Sequence, residues 1–154
     1  MPIKLDAIDR RILRALQRDG RLQNQELAKQ VGLSPSPCLR RVRLLEEAGV
    51  IARYVALVDP AKVALGLTLF VRVWLKRQDQ DTTDAFVEAV RQLPEVVECH
   101  VMAGDCDLML RVVAADLEAY RRFQVAHLTS LSVVQNVKTE VPMEKIKLTT
   151  ELPV

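Results

Sequence analysis

The sequence predicts an α+β protein, with an N-terminal helix-turn-helix followed by a ferredoxin-like β-α-β-β-α-β unit. Three observations carry that prediction. Up to about residue 49, apolar side chains recur every three or four positions, the period of helices with one buried face. From Leu67 onward, alternating runs and helical runs follow one another in the order strand, helix, strand, strand, helix, strand. Charge divides at the same place: residues 1–60 hold 11 Lys and Arg against 7 Asp and Glu, whereas residues 61–154 hold 11 against 13. A basic first segment on a slightly acidic body suggests that the first segment meets a polyanion, although an excess of this size is often only a solvated surface.

Each element follows from its residues. Ile8, Ile12, Leu13 and Leu16 form one face of a first helix, with Asp6 placed as its cap. Asp19-Gly20 ends it, and Gly20 is expected to take the left-handed conformation of a helix stop. A second helix over Asn24–Val31 turns Leu27, Ala28 and Val31 inward. Gly32-Leu33 is a tight turn. Ser34-Pro35 opens a third helix, since Ser caps well and Pro at the first helical position gives up an N–H without a partner. Pro37 is tolerated in the same first turn. The third helix continues to Ala48 and stops at Gly49.

Val50–Val58 reads as strand-like and is broken by Asp59-Pro60, and residues 60–66 read as a linker with a helical turn. The expected strands of the second unit are Leu67–Lys76, Val96–Met102, Asp107–Val113 and Val133–Pro142. Its helices are Asp81–Gln92 and Asp116–Leu128, each opened by an Asp. The expected domains are therefore 1–60, a linker at 61–66, and 67–154. No apolar run approaches the ~18 residues of a membrane helix, and the N-terminus has no signal-peptide core. Cys38, Cys99 and Cys106 form no C-x-x-C pair, so reduced thiols in a cytoplasmic protein are expected, with neither a disulfide framework nor a zinc site.

At 100° per residue, the third helix turns Cys38, Val42 and Leu45 to one side, with Leu39 at the edge. The opposite side carries Ser36, Pro37, Arg40, Arg43, Leu44 and Glu47, with Arg41 on the flank. The apolar side packs on the other two helices and the other side is free to enter a major groove. Arg40 and Arg43 suit guanine edges or phosphates, and Ser36 with the free N–H groups of the first turn suits a phosphate oxygen. Ser34, Ser36, Pro37, Arg40, Arg41 and Arg43 are thus the candidate DNA contacts. An ordinary solvated helix with three arginines is the plainer alternative; the conjunction of turn, cap, spacing and basic face favours DNA.

On the first strand of the second unit, Leu69, Val71, Val73 and Leu75 alternate with Phe70, Arg72, Trp74 and Lys76. The second set shares a face with Glu98, His100, Met102, Met109 and Arg111. A mixed aromatic and charged face left open on a sheet suggests a second copy of the chain as its cover. In the loop Ala103–Asp107, Asp105 and Asp107 allow several readings. They lack the neighbours of a metal site, and no nucleophile, phosphate loop or cofactor motif makes them catalytic. Gly-Asp is also an ordinary turn former, and a carboxylate here could pair with an amino-acid ammonium. His100 and His127 read as surface residues, Cys38 as core, and Cys106 as a thiol in an exposed loop.

These residues resemble the leucine-responsive / asparagine-synthetase regulator family (Lrp/AsnC, feast/famine regulators) over essentially the whole chain. The resemblance rests on Val31–Glu46, on Glu98–His100 followed by Gly104–Leu110, and on the ending Met143–Lys147 and Thr149–Pro153. It implies a winged helix-turn-helix and a ferredoxin-like effector-binding domain that dimerises through its sheet. Dimers that often close into octamers and wrap or bend DNA are also implied. By position, the implied effector pocket comprises Val101, Met102, Gly104, Asp105, Asp107, Glu140, Val141 and Pro142. Leu108 and Glu140 depart from close leucine-responsive relatives, which carry an aromatic residue and Tyr there. The expectation is a cytoplasmic, nucleoid-associated regulator of amino-acid metabolism genes that binds double-stranded DNA, itself and an amino-acid effector, with no cofactor, metal or catalysis. The alternative is a mainly architectural DNA-organising protein with a vestigial sensor site.

Overall fold

The chain divides into two compact units, Met1–Leu57 with Lys147–Val154 and Val58–Ile146, of which the computed structural model describes residues 4–154. The first unit is built on three helices, α1 (Ala7–Arg18), α2 (Asn24–Val31) and α3 (Pro35–Glu47). Asp6 caps α1 as expected. Its side chain accepts from the backbone N–H of Ile8 and Asp9, and the Asp9 carboxylate accepts in return from the N–H of Asp6, so both ends of the box are closed. The stop of α1 differs from expectation. Gly20 is not left-handed; Asp19 takes an extended conformation and accepts from the N–H of Arg21, so an Asx turn redirects the chain.

Gly32 ends α2 at φ 74° and Gly49 follows α3 at φ 69°, both left-handed. At each of these stops the next residue reaches back to satisfy an orphan carbonyl. Leu33 N–H donates to Ala28 and Val50 N–H to Leu45. The core of this unit is Ile12, Leu13, Leu27, Ala28, Val31, Cys38, Val42 and Leu45.

Val50–Val58, expected as strand-like, forms no strand. Among the described residues no strand pairs with it to complete a ladder, and Val55, Leu57 and Val58 remain exposed. The last eight residues, expected with the second unit, belong to the first: Val154 packs on its core.

The second unit begins with a single helical turn at Pro60–Val63, closed by Ala64 in the left-handed region at φ 58°. Four strands follow, β1 (Leu67–Leu75), β2 (Val96–Val101), β3 (Leu108–Ala114) and β4 (Val134–Glu140), in the antiparallel order β2-β3-β1-β4. Helix α4 (Gln80–Arg91) connects β1 to β2, and α5 (Leu117–Gln124) leads toward β4, continuing as a π-turn over Val125–Thr129. The cap of α4 is Asp79, two residues before the Asp predicted from the sequence, and Asp116 caps α5.

The sheet has one packed face. Leu69, Val71, Val73 and Leu75 alternate with half-buried neighbours along β1, and pack with Leu108, Leu110, Val112, Phe86 and Phe123. Truncating a fully buried residue such as Phe86 to Ala costs on the order of 3–5 kcal/mol.

Candidate functional site

Two regions carry the candidate chemistry, one in each unit. In the first, Cys38, Val42 and Leu45 are buried, and this burial turns Ser36, Pro37, Arg40 and Arg43 outward as expected. Ser36, Leu39, Arg40, Arg43, Leu44 and Glu47 line a shallow groove along the exposed side of α3. Ser34 is the N-cap by backbone geometry, yet its hydroxyl makes no capping bond. Pro35 and Pro37 have no N–H and the Cys38 N–H donates to the Ser34 carbonyl at 3.2 Å, so of the expected first-turn donors only the Ser36 N–H remains for a phosphate oxygen. Asn24 fixes α2 to α3 by donating to the Pro35 carbonyl at 2.8 Å.

Arg41 is placed differently from its expected role. One guanidinium nitrogen lies 2.7 Å from both Asp6 Oδ2 and Asp9 Oδ1, so this side chain ties α3 to the N-terminus of α1. The backbone N–H of Asp9, and then Arg41, hold the Asp6 carboxyl below its ordinary range, while the two carboxylates raise Arg41. The free cations on the outward face are therefore Arg40 and Arg43, for which no salt-bridge partner occurs among the described residues.

The second region is the loop from Met102 to Asp107 and the open face of the sheet. Sequence reasoning missed three of its anchors. Trp74 Nε1 donates to the Asp105 carbonyl at 2.7 Å. Leu75 N–H donates to Asp107 Oδ2 at 2.7 Å, and Gln78 Nε2 to Asp107 Oδ1 at 3.0 Å. Asp107 is thus a structural post that fixes the loop to the end of β1. Alternation along β1 placed Trp74 on the open face, but nothing in the local sequence joins residue 74 to residue 105.

Cys106 is buried, not exposed as predicted, because the residues on either side hold the loop against the sheet. Asp105 leaves its carboxylate in solvent, 3.9 Å from Arg72. Gly104 lies in open space, and a Cβ there would meet nothing within 4 Å.

The eight expected pocket residues do not converge into one cavity within the chain. Val101 and Met102 lie on or beside β2, at one edge of the sheet, whereas Glu140 ends β4 at the other. Val141 and Pro142, just beyond β4, are exposed. Arg72 links the two sides. It reaches toward Asp105, and its Nε lies 3.3 Å from Glu140 Oε2, although the direction is too poor for a hydrogen bond and that buried nitrogen is unsatisfied.

Across the same face the register aligns Glu98, Arg111, Phe70 and Glu140 in one row, and His100, Met109, Arg72 and Lys138 in the next. Arg111 donates to Glu98 and holds its carboxyl below the ordinary range. This is the mixed aromatic and charged face anticipated from the alternation of β1. Among the described residues, no cluster of three or more His, Cys, Asp or Glu could hold a metal, and no helix is long and apolar enough to cross a membrane.

A trihelical unit with a basic outward helix, joined in one chain to a ferredoxin-like unit with an anchored loop, defines a two-part DNA-binding transcription regulator with a ligand-binding domain. Comparison with known families agrees in both parts. Residues 5–52 match winged helix-turn-helix DNA-binding domains, and residues 68–152 match the Lrp/AsnC ligand binding domain. The chain belongs to the Lrp/AsnC family, whose members are transcription regulators and not enzymes.

The chain is 45% identical to the leucine-responsive regulatory proteins of Escherichia coli K12 and Klebsiella pneumoniae, over 96% of this chain and 90% of theirs. Among solved structures it is similar to a transcriptional regulator from Neisseria meningitidis in complex with L-Met. There the identity is 42% and the TM-score 0.93, covering 97% of both chains. It is also similar to an AsnC family transcriptional regulator from Agrobacterium tumefaciens, at 45% identity and a TM-score of 0.91, again over 97% of both chains.

Proposed function

We propose that this protein is an amino-acid-responsive transcription regulator that reads DNA through α3 and works as a homodimer or a larger closed assembly such as an octamer. The outward face of α3 carries the DNA part of the reading, because its two unpaired arginines stand on a helix whose other side is locked into the core. Arg40 and Arg43 contact base edges or phosphates, while Arg41 keeps α3 at a fixed angle to α1. Two copies related by a two-fold axis would present two such helices to successive major-groove turns, which calls for an imperfect palindrome. The open sheet face, with Phe70, Trp74 and Met109 among paired charges, supports self-association.

For the effector, the support is the ligand-binding domain together with the L-Met bound to the Neisseria relative. Arg72 and Asp105 offer opposite charges for the carboxylate and ammonium of an amino acid, and Glu140 sets what else the site admits. The residues from the two sheet edges would enclose a ligand only with the help of a neighbouring copy.

Two titrations test this. In a gel shift, R40A/R43A should bind a target duplex at least tenfold more weakly than wild type, and unchanged binding would discard the assigned face. In a thermal-shift screen against the twenty amino acids, an effector should raise Tm by mass action, and D105A should abolish that rise. A folded protein that ignores the whole panel would favour the architectural role, with α3 holding DNA independently of any ligand.

A further inference from the structure

We infer that the outer face of α1 is a second docking surface for the phosphate backbone of duplex DNA, separate from the face of α3. The inference rests on the DNA-binding reading of the first unit. At 100° per residue, Arg10, Arg14, Arg18 and Arg11 fall within an arc of about 120°, together with Gln17 and Ala7. No carboxylate shares that arc. Asp6 and Asp9 are turned toward α3 and are held by Arg41. All four arginines are exposed, and Arg10 and Arg11 have no salt-bridge partner among the described residues.

Part of this face is already taken. The C-terminal segment lies along it and presents a row of oxygens. Arg14 Nε donates to the Val154 main-chain oxygen at 2.7 Å, Gln17 Nε2 to the Leu152 carbonyl at 3.1 Å, and Arg18 Nε to the Glu151 carboxylate at 3.0 Å. Arg14, Gln17 and Arg18 are thus engaged by the chain's own C-terminal segment, and Arg10 and Arg11 are the two cations left for a phosphate strand.

The alternative occupant, an acidic protein surface, is disfavoured by composition. Protein interfaces place aromatic or aliphatic anchors at their centre, and no large apolar side chain is exposed on α1. Arginine forks without apolar neighbours are instead the usual equipment for phosphates.

The test is the salt dependence of binding to a long duplex of unrelated sequence, measured with the full chain. Each phosphate contact contributes a slope of about −0.9 in a plot of log K against log salt. R10A/R11A should therefore flatten the slope by about 2, with its melting temperature unchanged. R91A/R122A, which removes two exposed arginines from the second unit, should leave the slope as in wild type. A wild-type slope for R10A/R11A, with R40A/R43A still weakened, would overturn the second surface and leave the DNA reading of α3 intact. If R91A/R122A flattens the slope equally, the effect is one of net charge and the inference is overturned. If R40A/R43A also binds as wild type, the DNA reading itself fails.

Discussion

Replacing Asp107 separates a structural post from a ligand contact. Its carboxylate accepts from the backbone N–H of Leu75 and from Gln78 Nε2. Leu75 is only 4% exposed and sits where the β1–β4 register shifts, so Asp107 supplies the acceptor that the ladder does not. D107A leaves that buried N–H unpaired, at a cost of about 1–3 kcal/mol. For a chain of this size, about 2 kcal/mol corresponds to a fall in Tm of roughly 4–8 °C. D107N keeps one carbonyl oxygen for Leu75 and should lose less than half as much. Trp74, the sole tryptophan, donates to the Asp105 carbonyl in the same loop. Its emission should shift to the red in D107A as the loop loosens. Thermal melts followed by circular dichroism and tryptophan fluorescence measure both effects. If D107A melts within 1 °C of wild type with unchanged emission, the carboxylate is not the post that its hydrogen bonds indicate.

Three further outcomes are expected. Partial desolvation of the half-exposed Tyr54, followed by its hydrogen bond to Glu46 and the charge of that carboxylate, pushes its phenol up to about 12, and burial raises Tyr120. Because the folded state holds the Tyr54 proton more tightly than the unfolded chain, its contribution to stability is fully present below pH 10 and is lost as pH rises toward 12. Absorbance at 295 nm should show little tyrosinate at pH 10 in the folded protein, and a free tyrosine-like titration would contradict the packing. Gly32 and Ala64 share left-handed backbone geometry, so G32A should destabilise by about 1 kcal/mol and A64G should be neutral or stabilising by a similar amount, read from urea unfolding. Of the three thiols only Cys99 is exposed, so a chromogenic disulfide reagent should label one thiol per folded chain and three after unfolding; fast labelling of Cys106 would mean that the loop is open in solution.

Much of the fold was legible because it is written in local periods. The three helices of the first unit, the Asp and Pro starts of α1 and α3, and the glycine stops at 32 and 49 follow from contacts within about five residues along the chain. The β1 alternation likewise fixed which side chains face the helices. What failed locally failed for a stated reason. Gly20 was expected to end α1, but the Asx turn of Asp19 had already redirected the chain. Val50–Val58 has strand composition, yet strand formation depends on a partner that the period cannot supply. Cys106 lies between polar loop residues, and only the anchoring of Asp105 and Asp107 to β1 shows why it is buried.

The sequence by itself determined the two-part architecture, the outward side of α3, and the composition of the open sheet face, because each depends on repeat spacing of 2 or 3.6 residues. Tertiary structure decided the roles of Arg41 and Asp107, and the place of the last eight residues. Arg41 looked like one more basic residue on a DNA-facing helix until Asp6 and Asp9 were seen 2.7 Å away, more than 30 positions earlier in the chain. Asp107 looked like half of an acidic ligand pair until Leu75 and Gln78 were found on its oxygens. Hydrogen bonds of this kind join positions about 30 to 140 residues apart, and no local pattern encodes which distant donor a carboxylate or carbonyl will meet.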